Sequence, residues 1–175
     1  MIWKCLILSL LLIQTAYAEI LSGRVVGVTD GDTITVLDDS YTTHKIRLGG
    51  IDAPEKKQAF GNVAKQSLSD LVFNHQVDVE WHKQDRYGRK VAKVWLNDTD
   101  INLEQVKRGM AWYYKKYKGE LEQTDRIQYI QAQIEAERQQ LGLWLDANPI
   151  PPWDFRKQSR SVRVPSSIST NRTSY

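Results

Sequence analysis

Asp52 and Glu55 stand three residues apart across Pro54, in the decapeptide Ile46-Arg47-Leu48-Gly49-Gly50-Ile51-Asp52-Ala53-Pro54-Glu55. Pro54 fixes its own φ and pushes Ala53 toward an extended backbone, so the chain turns there and leaves the Ala53 carbonyl outside a regular ladder. The two carboxylates can then converge on one small volume. Arg47 ends an apolar-patterned strand, and its planar fork of donors suits a phosphate better than a lysine would. Two carboxylates beside a phosphate-binding guanidinium read as an active site. The plainer alternative is a surface turn in which Glu55 caps a following helix and Arg47 makes an ion pair. Two further segments bear on the choice. In Asp30-Gly31-Asp32-Thr33 a glycine lets the Asp32 carboxylate point inward at a tight turn, although such a segment is also an ordinary hairpin turn. In Asp85-Arg86-Tyr87-Gly88-Arg89 a second arginine sits near a turn that enters a strand.

The elements that must position these residues are legible as alternation and periodicity. Strands are predicted at 22–29, 33–37 and 42–48, joined by Asp30-Gly31 and Asp38-Asp39-Ser40, as a three-stranded meander that feeds the decapeptide. Phe60, Val63, Ala64, Leu68, Leu71 and Val72 recur at helical spacing, with Asn74 near the end of that helix. Val77, Val79 and Trp81 alternate with polar residues in a fourth strand, and a fifth runs from about Lys90 to Leu96. Leu103 and Val106 mark a short helix stopped by Gly109. Ile127, Ile130, Ile134 and Leu141 line one face of a final helix that opens near Thr124 or Asp125 and ends by Gly142. Five short strands with helices after the third and fifth predict an α+β, mainly β fold: a five-stranded OB-type barrel with three α-helices.

From about Ser22 to Trp144 the chain resembles the thermonuclease family, the secreted calcium-dependent nucleases typified by staphylococcal nuclease, with three motifs in matching order and spacing. The resemblance implies an enzyme that hydrolyses phosphodiester bonds of DNA, and of RNA as a second substrate, leaving 3′-phosphate ends. It implies Ca²⁺ as cofactor, with Asp32, Asp52 and the backbone carbonyl of Ala53 as ligands. Ala53 stands where family members often carry Thr, a change of little consequence where only the carbonyl coordinates. Glu55 matches the family's proposed general base, and Arg47 and Arg89 match the two arginines that hold the phosphate. Arg86, in place of a lysine, and Tyr87 match positions that contact a terminal phosphate. Tyr117 matches one tyrosine of the base pocket, and Lys115 stands at the position of the other. The run Trp112-Tyr113-Tyr114-Lys115-Lys116-Tyr117-Lys118 interleaves aromatics and lysines as single-strand binding surfaces do.

Two rival functions follow from the same residues. One is a non-catalytic OB-fold nucleic-acid-binding module, disfavoured because both arginines and all three acidic positions are present. The other is an exported hydrolase of a smaller phosphodiester, which would need a closed pocket.

Lys4, the apolar run Leu6 to Ile13 and Ala16-Tyr17-Ala18 predict a cleavable secretory signal over residues 1–18, hence a secreted or periplasmic monomer that keeps no membrane anchor. The apolar run is much shorter than the roughly 20 residues a membrane-spanning helix needs. The sole cysteine, Cys5, lies in that segment, so a processed chain has no thiols and must be held by packing. The formal charge of +3 decides little, but after Asp154 the chain carries arginines and a lysine and no acid. Residues 19–150 are assigned to the folded domain, and 151–175, opened by prolines and rich in Ser and Arg, to a disordered tail.

Overall fold

The computed structural model describes residues 19–161. The expected signal at 1–18, with Cys5, and residues 162–175 lie outside them. Among the described residues no helix is long and apolar enough to cross a membrane.

Strands β1 (Glu19–Asp30), β2 (Thr33–Leu37) and β3 (Thr43–Leu48) form the expected antiparallel meander. The chain then passes β4 (Ile51–Asp52) and α1 (Gly61–Val72) to β5 (Gln76–Gln84) and β6 (Lys90–Leu96). β5 pairs with β1 on one side and β6 on the other, and β6 runs parallel to β3, with Arg47 opposite Val91. That parallel pairing closes five strands into a barrel with no free edge. The apolar positions of each strand face inward: Val25, Ile34, Val36, Ile46, Leu48, Val77, Val79 and Val94 are buried together with Ala64, Leu68 and Val72 of α1. Val63, counted with that stripe from its spacing, is half exposed.

After β6 come β7 (Thr99–Asp100), α2 (Ile101–Lys107), β8 (Trp112–Tyr113), which pairs with β4, and α3 (Gln123–Arg138). The apolar stripe read along one face of α3 does not face the core: Ile127, Ile130 and Ile134 are exposed, and the buried residues are Tyr129 and Ala136. Polar anchors select that face. The Tyr129 hydroxyl donates to both oxygens of Asp100 at 2.8 and 3.0 Å, and Lys93 bridges Asp100 and Asp125.

A fourth helix, α4 (Pro152–Ser161), occupies part of the segment read as a disordered tail. Composition missed it because its few apolar residues are all used. Trp153 stacks on Tyr114 with ring centroids 5.1 Å apart and meets Trp112 edge-on at 5.7 Å, and Pro152 is buried. Trp112 in turn packs on a small second core of Ala136, Leu143 and Trp144.

Candidate active site

The three sequence segments meet at one end of the barrel because of three backbone devices. Thr33 of β2 pairs with Arg47 of β3, which sets the Asp-Gly-Asp turn beside the end of β3. Gly31 then allows that turn to lie against the decapeptide: a Cβ at Gly31 would stand 2.7 Å from the Cβ atoms of both Ala53 and Ala64. Gly50, at φ 72° and pressed on Leu121, turns the chain between Arg47 and Asp52. Closure of β6 onto β3 brings in the loop that carries Arg89.

Two buried amides on α2 pin these turns. Gln105 donates to the carbonyls of Gly31 and Ala64 at 2.9 and 3.1 Å and accepts from the Ser67 hydroxyl at 2.8 Å. Asn102 donates to the carbonyls of Gly49 and Ala92 at 3.1 and 2.9 Å and accepts from the Val94 amide. Each links a site turn to the core. Sequence reasoning passed them over, although an Asn and a Gln three residues apart on the apolar face of a short helix are the kind of polar group that burial tolerates only when bonded.

The arginines are held before any ligand arrives. Arg47 is buried, donates Nη2 to the Ile51 carbonyl at 2.9 Å and Nη1 to Glu120 at 3.3 Å, and burial's pull on its pKa is outweighed by Asp32, Glu120, Asp52 and Asp85, which raise it. Glu120, itself nearly buried, also accepts from the Gly50 amide at 3.0 Å and pairs with Lys83 at 2.9 Å. Arg89 is gripped by Asp85 through Nε and Nη2 at 2.8 and 2.7 Å and donates Nη1 to the Thr33 hydroxyl at 3.3 Å. That hydroxyl donates to Asp32 at 2.9 Å. Glu120 was not a sequence candidate; its signal, a lone acid after three lysines interrupted by a tyrosine, is weak.

Asp32 and Asp52 are buried, and Asp32 accepts from the Ala53 amide at 3.2 Å. Burial, and then repulsion from Asp32, push Asp30 up to about 7. Burial also pushes Asp52 up to about 6, with Asp32 adding to the rise and Arg156 and Arg47 opposing it. Crowded, desolvated carboxylates with only oxygen donors fit a hard divalent cation such as calcium. Among the described residues no group of three or more His, Cys, Asp or Glu side chains forms a metal cage.

These groups line a cleft of about 790 Å³, walled also by Lys83, Arg86, Tyr87, Tyr114, Lys116 and Tyr117. Every sequence candidate is in it except Lys115, whose neighbours Tyr114 and Lys116 face it instead. The least expected member is Arg156, from α4. It donates to both oxygens of Asp52 at 3.0 and 2.6 Å and to Glu55 at 2.7 Å.

Comparison with known proteins agrees with this geometry. The chain is 46% identical over 161 residues to a Haemophilus influenzae protein named "Uncharacterized endonuclease", covering 90% of this chain and 87% of the relative. It is 42% identical over 149 residues to a Shigella flexneri "Micrococcal nuclease", covering 80% and 83%. It is 39% identical over 163 residues to "Protein ParB" of Escherichia coli, covering 88% and 89%. Residues 45–146 match the family model described as "Staphylococcal nuclease homologue". With a closed five-stranded barrel, a carboxylate and arginine cleft at its end, and relatives of this kind, the chain belongs to the staphylococcal nuclease homologue family and is a nuclease, a phosphodiester hydrolase.

Proposed function

We propose that the protein is an exported calcium-dependent nuclease that cleaves DNA and RNA and leaves 3′-phosphate ends. The observation that carries this is the convergence of Asp32, Asp52, Glu55, Arg47 and Arg89 on one cleft. Glu55 is the general base: its half-exposed carboxylate accepts a proton from water, whose oxygen forms a bond to phosphorus as the bond to the 5′ oxygen breaks. Arg47 and Arg89 donate to the phosphate oxygens as charge grows there. Their carboxylate and carbonyl partners hold both guanidiniums in place, so little reorganisation is needed at the moment of reaction. Asp32, Asp52 and the Ala53 carbonyl would hold calcium, which supplies a charge that binds and polarises the phosphate. Arg86 and Tyr87, on the β5–β6 turn, and Tyr117, 5.9 Å from the Arg47 guanidinium, hold the nucleotide.

Purified protein lacking residues 1–18 should cut single-stranded DNA, duplex DNA and RNA in calcium and stop in chelator. Full activity in excess chelator, or equal activity with magnesium, would overturn the calcium assignment. Export is tested separately, by the mass of the protein recovered outside the inner membrane.

A further inference from the structure

Helix α4 lies beyond the residues matched by the family model, yet it delivers a guanidinium to the two carboxylates on which the reaction depends. The delivery is built rather than incidental. One turn before Arg156, Trp153 lies flat on Tyr114 with an interplanar angle of 2°. Phe155 lines a small pocket together with Phe60, Trp112 and Leu143, and the side-chain amide of Gln58 donates to the Ile150 carbonyl just ahead of the helix. These contacts fix the rotation of α4, and that rotation aims Arg156 at Asp52 and Glu55. Lys157 and Arg160 stay on the cleft rim.

The contact is incompatible with the working state of both acids. Arg156 takes one oxygen of Asp52 with each end of its fork, and one oxygen of Glu55 as well. A divalent cation on Asp52 would sit against a positive guanidinium with little solvent between them, because Asp52 is buried. The Glu55 oxygen that accepts from the guanidinium is not free to accept a hydrogen bond from an attacking water. The bond to the base and the bond to the cation ligand would be lost in a single movement of one side chain or one helix.

We infer that Arg156 is an internal competitor for the catalytic cation: with α4 docked it locks Asp52 and Glu55 together, and calcium binding expels it, so that cation affinity and α4 docking are linked. This rests on the reading of Asp32 and Asp52 as calcium ligands. Linkage is reciprocal, so docked α4 weakens calcium binding by the same factor by which bound calcium weakens the docking of α4.

The test is calorimetric titration of calcium into the chain lacking residues 1–18, without nucleic acid, for wild type, Arg156→Gln and Trp153→Ala. Trp153→Ala loosens the helix without touching a carboxylate, and circular dichroism checks that each variant is folded. Both variants should bind calcium about 5- to 50-fold more tightly, within the usual range of coupling between linked sites. In wild type, calcium should speed hydrogen exchange of the α4 amides. Hydrolysis by Arg156→Gln should exceed wild type at limiting calcium, and the gain should narrow as calcium saturates. Equal calcium affinity in all three proteins, or α4 exchange indifferent to calcium, would overturn the lock and leave the calcium reading standing. Unchanged calcium affinity with a raised KM for oligonucleotide would make Arg156 a substrate contact instead. No calcium binding by any of the three would remove the lock and the calcium reading together.

Discussion

Exchanging Glu55 for Gln keeps the size of the side chain and its hydrogen-bonding to Arg156 while removing the group that would take a proton. General-base catalysis contributes on the order of 10²- to 10⁴-fold, so kcat should fall by about that much while oligonucleotide affinity persists. A folded Glu55→Gln protein that cleaves at the wild-type rate would exclude Glu55 as the base. Arg89 is tested through the residue that holds it. Oδ2 of Asp85 accepts both Nε and Nη2 of the Arg89 fork and Oδ1 accepts the Tyr87 and Arg89 amides, so Asp85→Asn removes the charge and one of the two acceptors, and kcat should drop more than KM rises. A pH series separates positioning from fold. Burial opposes ionisation of Asp85, but its bonds from Arg89 and Tyr87 prevail and hold its pKa below the usual carboxylate value. The stability that Asp85 contributes is therefore present above about pH 4 and lost as the pH falls through its lowered pKa. The destabilisation by Asp85→Asn, measured by urea, should shrink toward zero in acid; a penalty independent of pH would mean that charge is not what Asp85 supplies.

At the scale of elements, the five barrel strands and the first two helices are legible because each buries a face whose period is written in one stretch of chain. The pattern on β5, with Val77 and Val79 buried between exposed Gln76, Asp78 and Glu80, is that signal in pure form. What was not legible depends on partners far away in sequence. The helix α3 carries two candidate faces, and the more apolar one, Ile127 with Ile130 and Ile134, points outward because Tyr129 and Asp125 find Asp100 and Lys93 on the barrel side. Likewise α4 has too little apolar content to read as folded, and only Tyr114 and Trp112 give Trp153 a reason to stay. At the site the carboxylates and arginines were readable from motif and turn chemistry, whereas Glu120 and Arg156 reach it from loops and helices that no local pattern connects to it. The α3 result makes a stability prediction. Tyr129→Phe should cost about 1–2 kcal/mol by leaving the partly buried Asp100 short of a donor, while Ile130→Ser should stay within about 0.5 kcal/mol of wild type. Urea denaturation of both variants checks it, and the reverse order would restore the isoleucine face as the core face.

Over the whole molecule, charge is sorted rather than abundant. With 24 basic and 21 acidic residues the chain has no strong net field, yet its cleft gathers partly buried Asp30 and buried Asp32 and Asp52 with Lys83, Arg86, Lys116, Lys157 and Arg160 around them. A nucleic acid strand meets cations first and reaches the carboxylates only at the phosphate to be cut. Affinity should therefore be governed by the rim and depend on salt far more steeply than the net charge suggests, because each phosphate neutralised releases condensed counterions. With Glu55→Gln protein, so that the substrate survives, the logarithm of affinity for a single-stranded oligonucleotide should fall linearly with the logarithm of salt concentration. Adding Lys116→Ala or Arg86→Ala should each reduce that slope by roughly 0.7, the value for one contact on a single strand. Lys107→Ala, on α2 and outside the cleft-lining residues, should leave the slope unchanged. Equal slopes in all of these proteins would mean that the strand does not cross the Lys116 and Arg86 side of the cleft.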